Sequence, residues 1–202
     1  MKAFAAAFIT LWLAAPAVAQ ERFPALAPDQ MTAEQKTVAD EIMGSRKNLS
    51  GPFPAWLRSP ELADRLQAVG DYLRFHTQLP PGLTEFVIII TAREWSSPFE
   101  WQFHAPLAMA AGVDKAVIAD LGAGRRPRGM NADQSLVYDF SLALHRAKGR
   151  VPDSLFGAVK ARFGERNLVD LIALNGYYDA VAMSLAAANV AGPGNTDAPP
   201  LK

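Results

Sequence analysis

Helix-start signals recur along the chain at intervals that suit a bundle of helices and little else. Thr32 with Gln35 forms a capping box ahead of Val38 and Ile42, and Ser59, Pro60 and Glu61 open a segment whose Leu62, Leu66, Val69 and Leu73 share one face. Ser97, Pro98 and Glu100 repeat the pattern, Asp114 starts a short segment ending at Gly122, and Asn131 with Gln134 starts one that stops at Gly149. Gly164 ends a further segment, and residues 166–191 form the last helix. In each start the cap oxygen takes up a backbone N–H that the first turn leaves unpaired, and a glycine past the end lets the chain leave in the left-handed region. In the last helix Leu168, Leu171, Ile172, Val181 and Leu185 are the expected core stripe, while Gly176, Ala180, Ala182 and Ser184 are small enough to admit a close neighbour.

One segment resists this reading. Residues 86–91 read FVIIIT, whose β-branched content favours a strand, while LTE before and AREW after favour a helix. Periodicity does not separate the two, because a short run that is apolar throughout fits a buried strand and a buried helix alike. The stretch NLSGPFPAW at 48–56 reads as an ordered loop, since Phe53, Trp56 and Leu57 need burial. The tail GPGNTDAPPLK has no apolar face, so disorder is expected over 192–202. The expected layout is a leader at 1–19, an extension with one helix at 20–47, a single domain at 48–191, and the tail.

The leader limits the chemistry. MKAFAAAFITLWLAAPAVAQ carries Lys2, an apolar stretch and the small residues Ala17, Val18 and Ala19, the pattern of a secretory signal peptide cleaved after Ala19. The alternative is an uncleaved N-terminal anchor. Cleavage implies a periplasmic or secreted protein with no membrane span of its own. It removes Lys2 alone among the charged residues, leaving 19 basic against 20 acidic. That balance offers no electrostatic grip on a phosphate backbone, so nucleic acid is not an expected partner. Cysteine is absent altogether, which removes thiol redox catalysis and thiolate metal sites.

The chemistry concentrates in EWSSPFEWQFH at 94–104. Glu100 stands three residues after the cap Ser97, where it completes a capping box, and four before His104, which places both side chains on one helix face. A carboxylate beside a histidine in apolar surroundings fixes the ring's tautomer and favours its protonated form, as general acid/base work near neutral pH requires. Both readings of Glu100, cap and catalyst, stay open on the residues alone. Three scattered histidines give no metal-ligand spacing, so neither metal nor other cofactor is expected. His76 and His145 each fall at a helix end, where a cationic imidazole suits the dipole. Arg125, Arg126 and Arg128 make a basic loop that would either steer anions or lie exposed, and Tyr177 and Tyr178 are read as core or as visitors to a neighbouring subunit's pocket.

Glu85, AREW, FEWQFH, the Ala-rich LAMAAGV with Asp114, and DFSLALHRAKGRVPDSLFGAVKARFGERNLVDLIALNGYYDAVAMSLAAANV come in an order that resembles the carboxymuconolactone decarboxylase family, which includes the alkylhydroperoxidase D-like proteins. The resemblance spans roughly 48–190. It implies an all-α fold with FVIIIT as helix, a site held by a helix pair, and assembly as trimers or hexamers. In the peroxidase branch a CxxC pair precedes the motif histidine by seven and four residues; here those positions are Ser97 and Glu100, so thiol peroxidase activity has no nucleophile. In the decarboxylase branch a carboxylate stands four before the histidine, as Glu100 does, and Glu85 matches a glutamate that belongs to a proton relay in the redox branch. The implied catalytic set is His104, Glu100 and Glu85, with Arg93, Trp101 and Ser97 as the expected substrate contacts.

Three functions are compatible with this reading. The first is a cofactor-free lyase of the decarboxylase type acting on a small acidic lactone or unsaturated carboxylic acid. The second is another acid/base enzyme, a hydrolase, isomerase or dehydratase, using the same pair. The third is a non-catalytic ligand-binding oligomer in which Glu100 only caps.

Overall fold

The computed structural model describes residues 20–202, so the signal segment and its cleavage site after Ala19 lie outside the described residues. Among the described residues eight α-helices form: α1 (Ala33–Arg46), α2 (Phe53–Trp56), α3 (Pro60–Asp71), α4 (Pro81–Glu94), α5 (Pro98–Ala110), α6 (Lys115–Gly122), α7 (Ala132–Arg146) and α8 (Asp153–Ala188). Among the described residues no strand forms. The end of α3 passes directly into a π-helical turn, Tyr72–His76.

FVIIIT lies inside α4, where every residue from Leu83 to Ala92 is buried. The helix threads between two apolar clusters. Leu83, Val87 and Ile88 face one, with Phe140, Leu171 and Leu174; Phe86, Ile89, Ile90 and Ala92 face the other, with Trp101, Ile118 and Leu121. A helix wrapped on all sides has no polar face, which is why its sequence carries no helical period. Each fully buried Ile or Phe contributes about 1.5–3 kcal/mol, more than enough to override β-branched propensity. Around this axis pack α5, α7 and α8.

The predicted caps at Thr32, Asp114 and Asn131 all form, accepting from the N–H groups of Gln35, Ala116 and Gln134. Ser59 and Ser97 sit at their helix starts but make no side-chain cap hydrogen bond. The expected box at Ser97 therefore does not close, and Glu100 turns inward instead. α7 ends at Arg146, with Gly149 at φ 78° returning its N–H to the Leu144 carbonyl, and Gly164 (φ 81°, ψ 168°) breaks α8 where the sequence places a helix end.

Two stripes need correction. Along α3 and the π turn Leu73 is buried and Leu66 partly so, but Leu62 (50% exposed) and Val69 (47%) face outward, and on α8 Ile172 (41%) does too. The tail expected to be disordered lies against the bundle instead. Trp101 Nε1 donates to the Pro199 carbonyl at 2.6 Å, the Lys202 N–H donates to the Gly122 carbonyl, and Ala198 and Leu201 pack on the second cluster. Those anchors are backbone groups, invisible to a search for an apolar face.

Candidate active site

A cavity of about 270 Å³ opens between the end of α1, the loop after it, the π turn, α5 and α8. Phe53, Phe75, Phe99 and Phe103 wall it, and Arg46, Arg74, Glu100, His104, Tyr177 and Tyr178 supply its polar and aromatic groups. Phe103 and Tyr178 both meet the His104 ring edge-on, with centroids 5.1 and 5.4 Å away.

Glu85 on α4 is the hub. Its Oε2 lies 2.6 Å from His104 Nδ1 and its Oε1 accepts from Arg74 Nη2 at 3.1 Å. Burial pushes the Glu85 carboxyl up, but the His104 hydrogen bond and the charges of His104 and Arg74 outweigh it and hold the group below its ordinary value. An ionised carboxylate accepts only, so Nδ1 carries the hydrogen and Nε2 is the atom left for chemistry.

Glu100 behaves oppositely. Its carboxyl is buried, and burial raises its proton affinity above the ordinary carboxylate range, with Glu85 adding to the effect and His104, Arg74 and Arg46 opposing it. Its Oε2 stands 3.4 Å from His104 Nε2 and has no hydrogen-bond partner. One carboxylate is thus held charged and the other pushed toward neutral, on opposite sides of one imidazole, the separation expected of an acid/base site. Burial also lifts Tyr177 to about 12 and Tyr178 well above the usual phenol value, so both stay protonated.

His104, Glu100 and Glu85 therefore come together. Arg93, Trp101 and Ser97 do not line this cavity. Arg93 lies beside Gly124 and reaches the Ser96 hydroxyl at 3.5 Å; Trp101 is fully buried against the tail; Ser97 is buried at the start of α5, its N–H on the Ala92 carbonyl. On α5 the residues at 99, 100, 103, 104 and 107 face the cavity and Trp101 lies off that face; Ser97 would share the face by helical spacing, but it precedes the helix in extended backbone. The cations at the cavity are Arg74 and Arg46, in segments with no sequence signal beyond an ordinary basic residue near a helix end. The Tyr pair serves the cavity of its own chain.

The basic loop is largely paired within the chain: Arg125 and Arg128 share Asp120, and Arg126 engages Asp139 and the Ser135 hydroxyl. His145 does end α7, but its side chain is buried with Nδ1 3.2 Å from Asp179 and Nε2 3.2 Å from the Thr91 hydroxyl. His76 Nε2 lies 2.9 Å from Asp71.

No family model matches the sequence, and no curated protein does. A solved structure does match: the core of an alkylhydroperoxidase AhpD, described as an uncharacterized peroxidase-related protein from Ralstonia eutropha JMP134, superposes with a TM-score of 0.70 at 15% identity over 83% of this chain and 89% of that one. The chain has the AhpD-like fold. At this identity the likeness concerns the backbone alone. Ser97 and Glu100 both stand at the start of α5, and of the two only Glu100 reaches the cavity.

Proposed function

We propose that the protein is an exported, cofactor-free acid/base enzyme whose reaction is a decarboxylase-like carbon–carbon cleavage of a small lactone or unsaturated carboxylic acid. The observation that carries this reading is the buried line Glu85, His104, Glu100 at an aromatic cavity, with the proton affinity of Glu100 raised by burial and that of Glu85 lowered by His104 and Arg74. Loss of carbon dioxide breaks the bond to the carboxyl carbon and leaves its electron pair on the substrate as an extended enolate. Protonated His104 delivers a proton from Nε2 to carbon, Glu85 holds the ring and balances its charge, and Glu100 relays a replacement proton from solvent to Nε2, which closes the cycle. Thiol peroxidation is excluded because the chain has no cysteine.

The test is a screen of the purified protein against lactones and unsaturated carboxylic acids, following carbon dioxide release and ultraviolet absorbance. Turnover with gas release, abolished in His104→Asn, supports the reading. Turnover without gas moves the same pair to isomerase, hydrolase or dehydratase chemistry, and saturable binding without turnover refutes an enzyme. Export and self-association belong to the same proposal, the second supported by the exposed apolar residues Leu62, Val69, Val169 and Ile172 on α3 and α8. Mass spectrometry and light scattering of protein from its native compartment should give an N-terminus at Gln20 and a mass of three or six chains; a full-length cytoplasmic monomer would refute both.

A further inference from the structure

The two cations at the cavity are not equivalent. Arg74 is committed to Glu85. Arg46 has no carboxylate within ion-pair distance among the described residues; its Nε is buried without a partner, and Nη2 makes only a long 3.4 Å contact with the Gln67 carbonyl. The guanidinium stands 5.5 Å over the Phe53 ring. On α3, Gly70 makes room for it: a Cβ there would lie 2.8 Å from Arg46 Nη2 and 2.2 Å from the Tyr177 hydroxyl, so the missing side chain lets a cation and a phenol converge. Both line the same cavity as His104, and the rest of its wall is largely aromatic.

We infer that Arg46 and the Tyr177 hydroxyl form a carboxylate-reading subsite, and that the ligand is a flat, conjugated carboxylate whose body lies among Phe53, Phe99 and Phe103 with its reacting end at His104. The inference deepens the acid/base reading and rests on it for the reaction. A cation with an unused donor and no anionic partner is strongly biased toward a charged acceptor, and guanidinium geometry suits two carboxylate oxygens at once. The cavity volume limits the ligand to a small molecule. Arg46 closes α1, which the sequence places ahead of the domain but whose Val38, Ala39 and Ile42 join the first apolar cluster. Lys47, in the left-handed region at φ 62°, turns the chain so that Asn48 and Ser50 continue the rim, and the Asn48 side chain ties back to the Arg46 carbonyl. That helix is thus part of the binding site.

The test is affinity rather than turnover, so that its failure is distinct from a failure of the acid/base reading. Cinnamate and its uncharged amide, cinnamamide, are titrated calorimetrically into the full protein and into Arg46→Gln and Arg46→Lys, with melting temperatures confirming that each is folded. The native protein should prefer the carboxylate by about tenfold or more. Arg46→Gln should bind both probes alike, and Arg46→Lys should retain part of the preference. An unchanged preference in Arg46→Gln would overturn the assignment, as would absence of any preference in the native protein. If the preference is lost in Arg46→Gln yet His104→Asn retains full turnover on a substrate from the screen, the subsite stands and the acid/base reading falls.

Discussion

Glu85→Gln separates the hub carboxylate from a residue that merely fills space. Glutamine has nearly the same shape, and Arg74 donates to Oε1, so the amide oxygen stays toward Arg74 and the NH₂ group turns toward His104. Nδ1 then becomes an acceptor, and the ring hydrogen moves to Nε2. Two charge-assisted hydrogen bonds, from Arg74 at 3.1 Å and His104 at 2.6 Å, become neutral or half-neutral ones. Each bond to a charged group contributes about 1.5–3 kcal/mol against about 1 for a neutral one, so the loss is about 2 kcal/mol once relief of carboxylate desolvation is set against it. For a chain of this size that lowers Tm by about 4–8 °C. Because the folded Glu85 carboxyl is held below its ordinary value, its stabilisation is fully present above the unfolded glutamate pKa and is lost as pH falls through the folded one. The gap between the two proteins should therefore be full at neutral pH and close in acid. Calorimetric melts across that range, with ¹⁵N spectra of the imidazole to read the tautomer, make the measurement. A gap that does not shrink in acid, or a ring whose hydrogen stays on Nδ1 in the variant, would refute the reasoning; turnover on any substrate found should fall by about 10² or more, since the wrong tautomer faces the cavity.

Glu100→Gln should have the opposite pH signature. With its folded proton affinity raised, Glu100 contributes stability that is present below the unfolded value and lost as pH rises through the folded one, so the permanently neutral variant should gain on the native protein as pH rises, while turnover falls. Melting curves showing the native protein pulling ahead instead would return Glu100 to a purely ionised role. Trp101→Phe leaves the Pro199 carbonyl without its donor and should cost about 1–2 kcal/mol, with faster amide exchange at Lys202. Unchanged exchange there would mean that the indole does not hold the tail.

The helix starts were legible in the sequence because capping is local: Thr32, Asp114 and Asn131 each bond within their own first turn. Glu100 shows the limit of that logic. Its spacing from Ser97 suits a capping box, yet a buried imidazole offered by the same helix and two cations from elsewhere give the carboxyl a different environment, which only the tertiary fold assembles. The same applies to Arg74 and Arg46, whose importance arises from segments distant in sequence meeting at one cavity. His104 with Glu100 was readable from i,i+4 spacing, whereas the tighter partner Glu85, nineteen residues upstream, entered through resemblance and not through any local pattern. Side chains whose partners are backbone atoms far along the chain, Trp101 above all, leave no signature in composition or period.

The π turn at Tyr72–His76 ties this site to chain length as well as to chemistry. A π turn is an α-helix holding one residue more than its pitch allows. Deleting one residue of the turn ahead of Arg74 would let it close as ordinary α-helix; because a π turn rotates the chain about as far as an α turn with one residue fewer, the chain beyond keeps its bearing while Arg74, inside the turn, is moved relative to Glu85 without altering a single site side chain. Gain or loss of one codon there is thus a route by which a lineage with this fold acquires or discards the cation behind its glutamate, and sequence comparison at aligned positions would register it only as a gap.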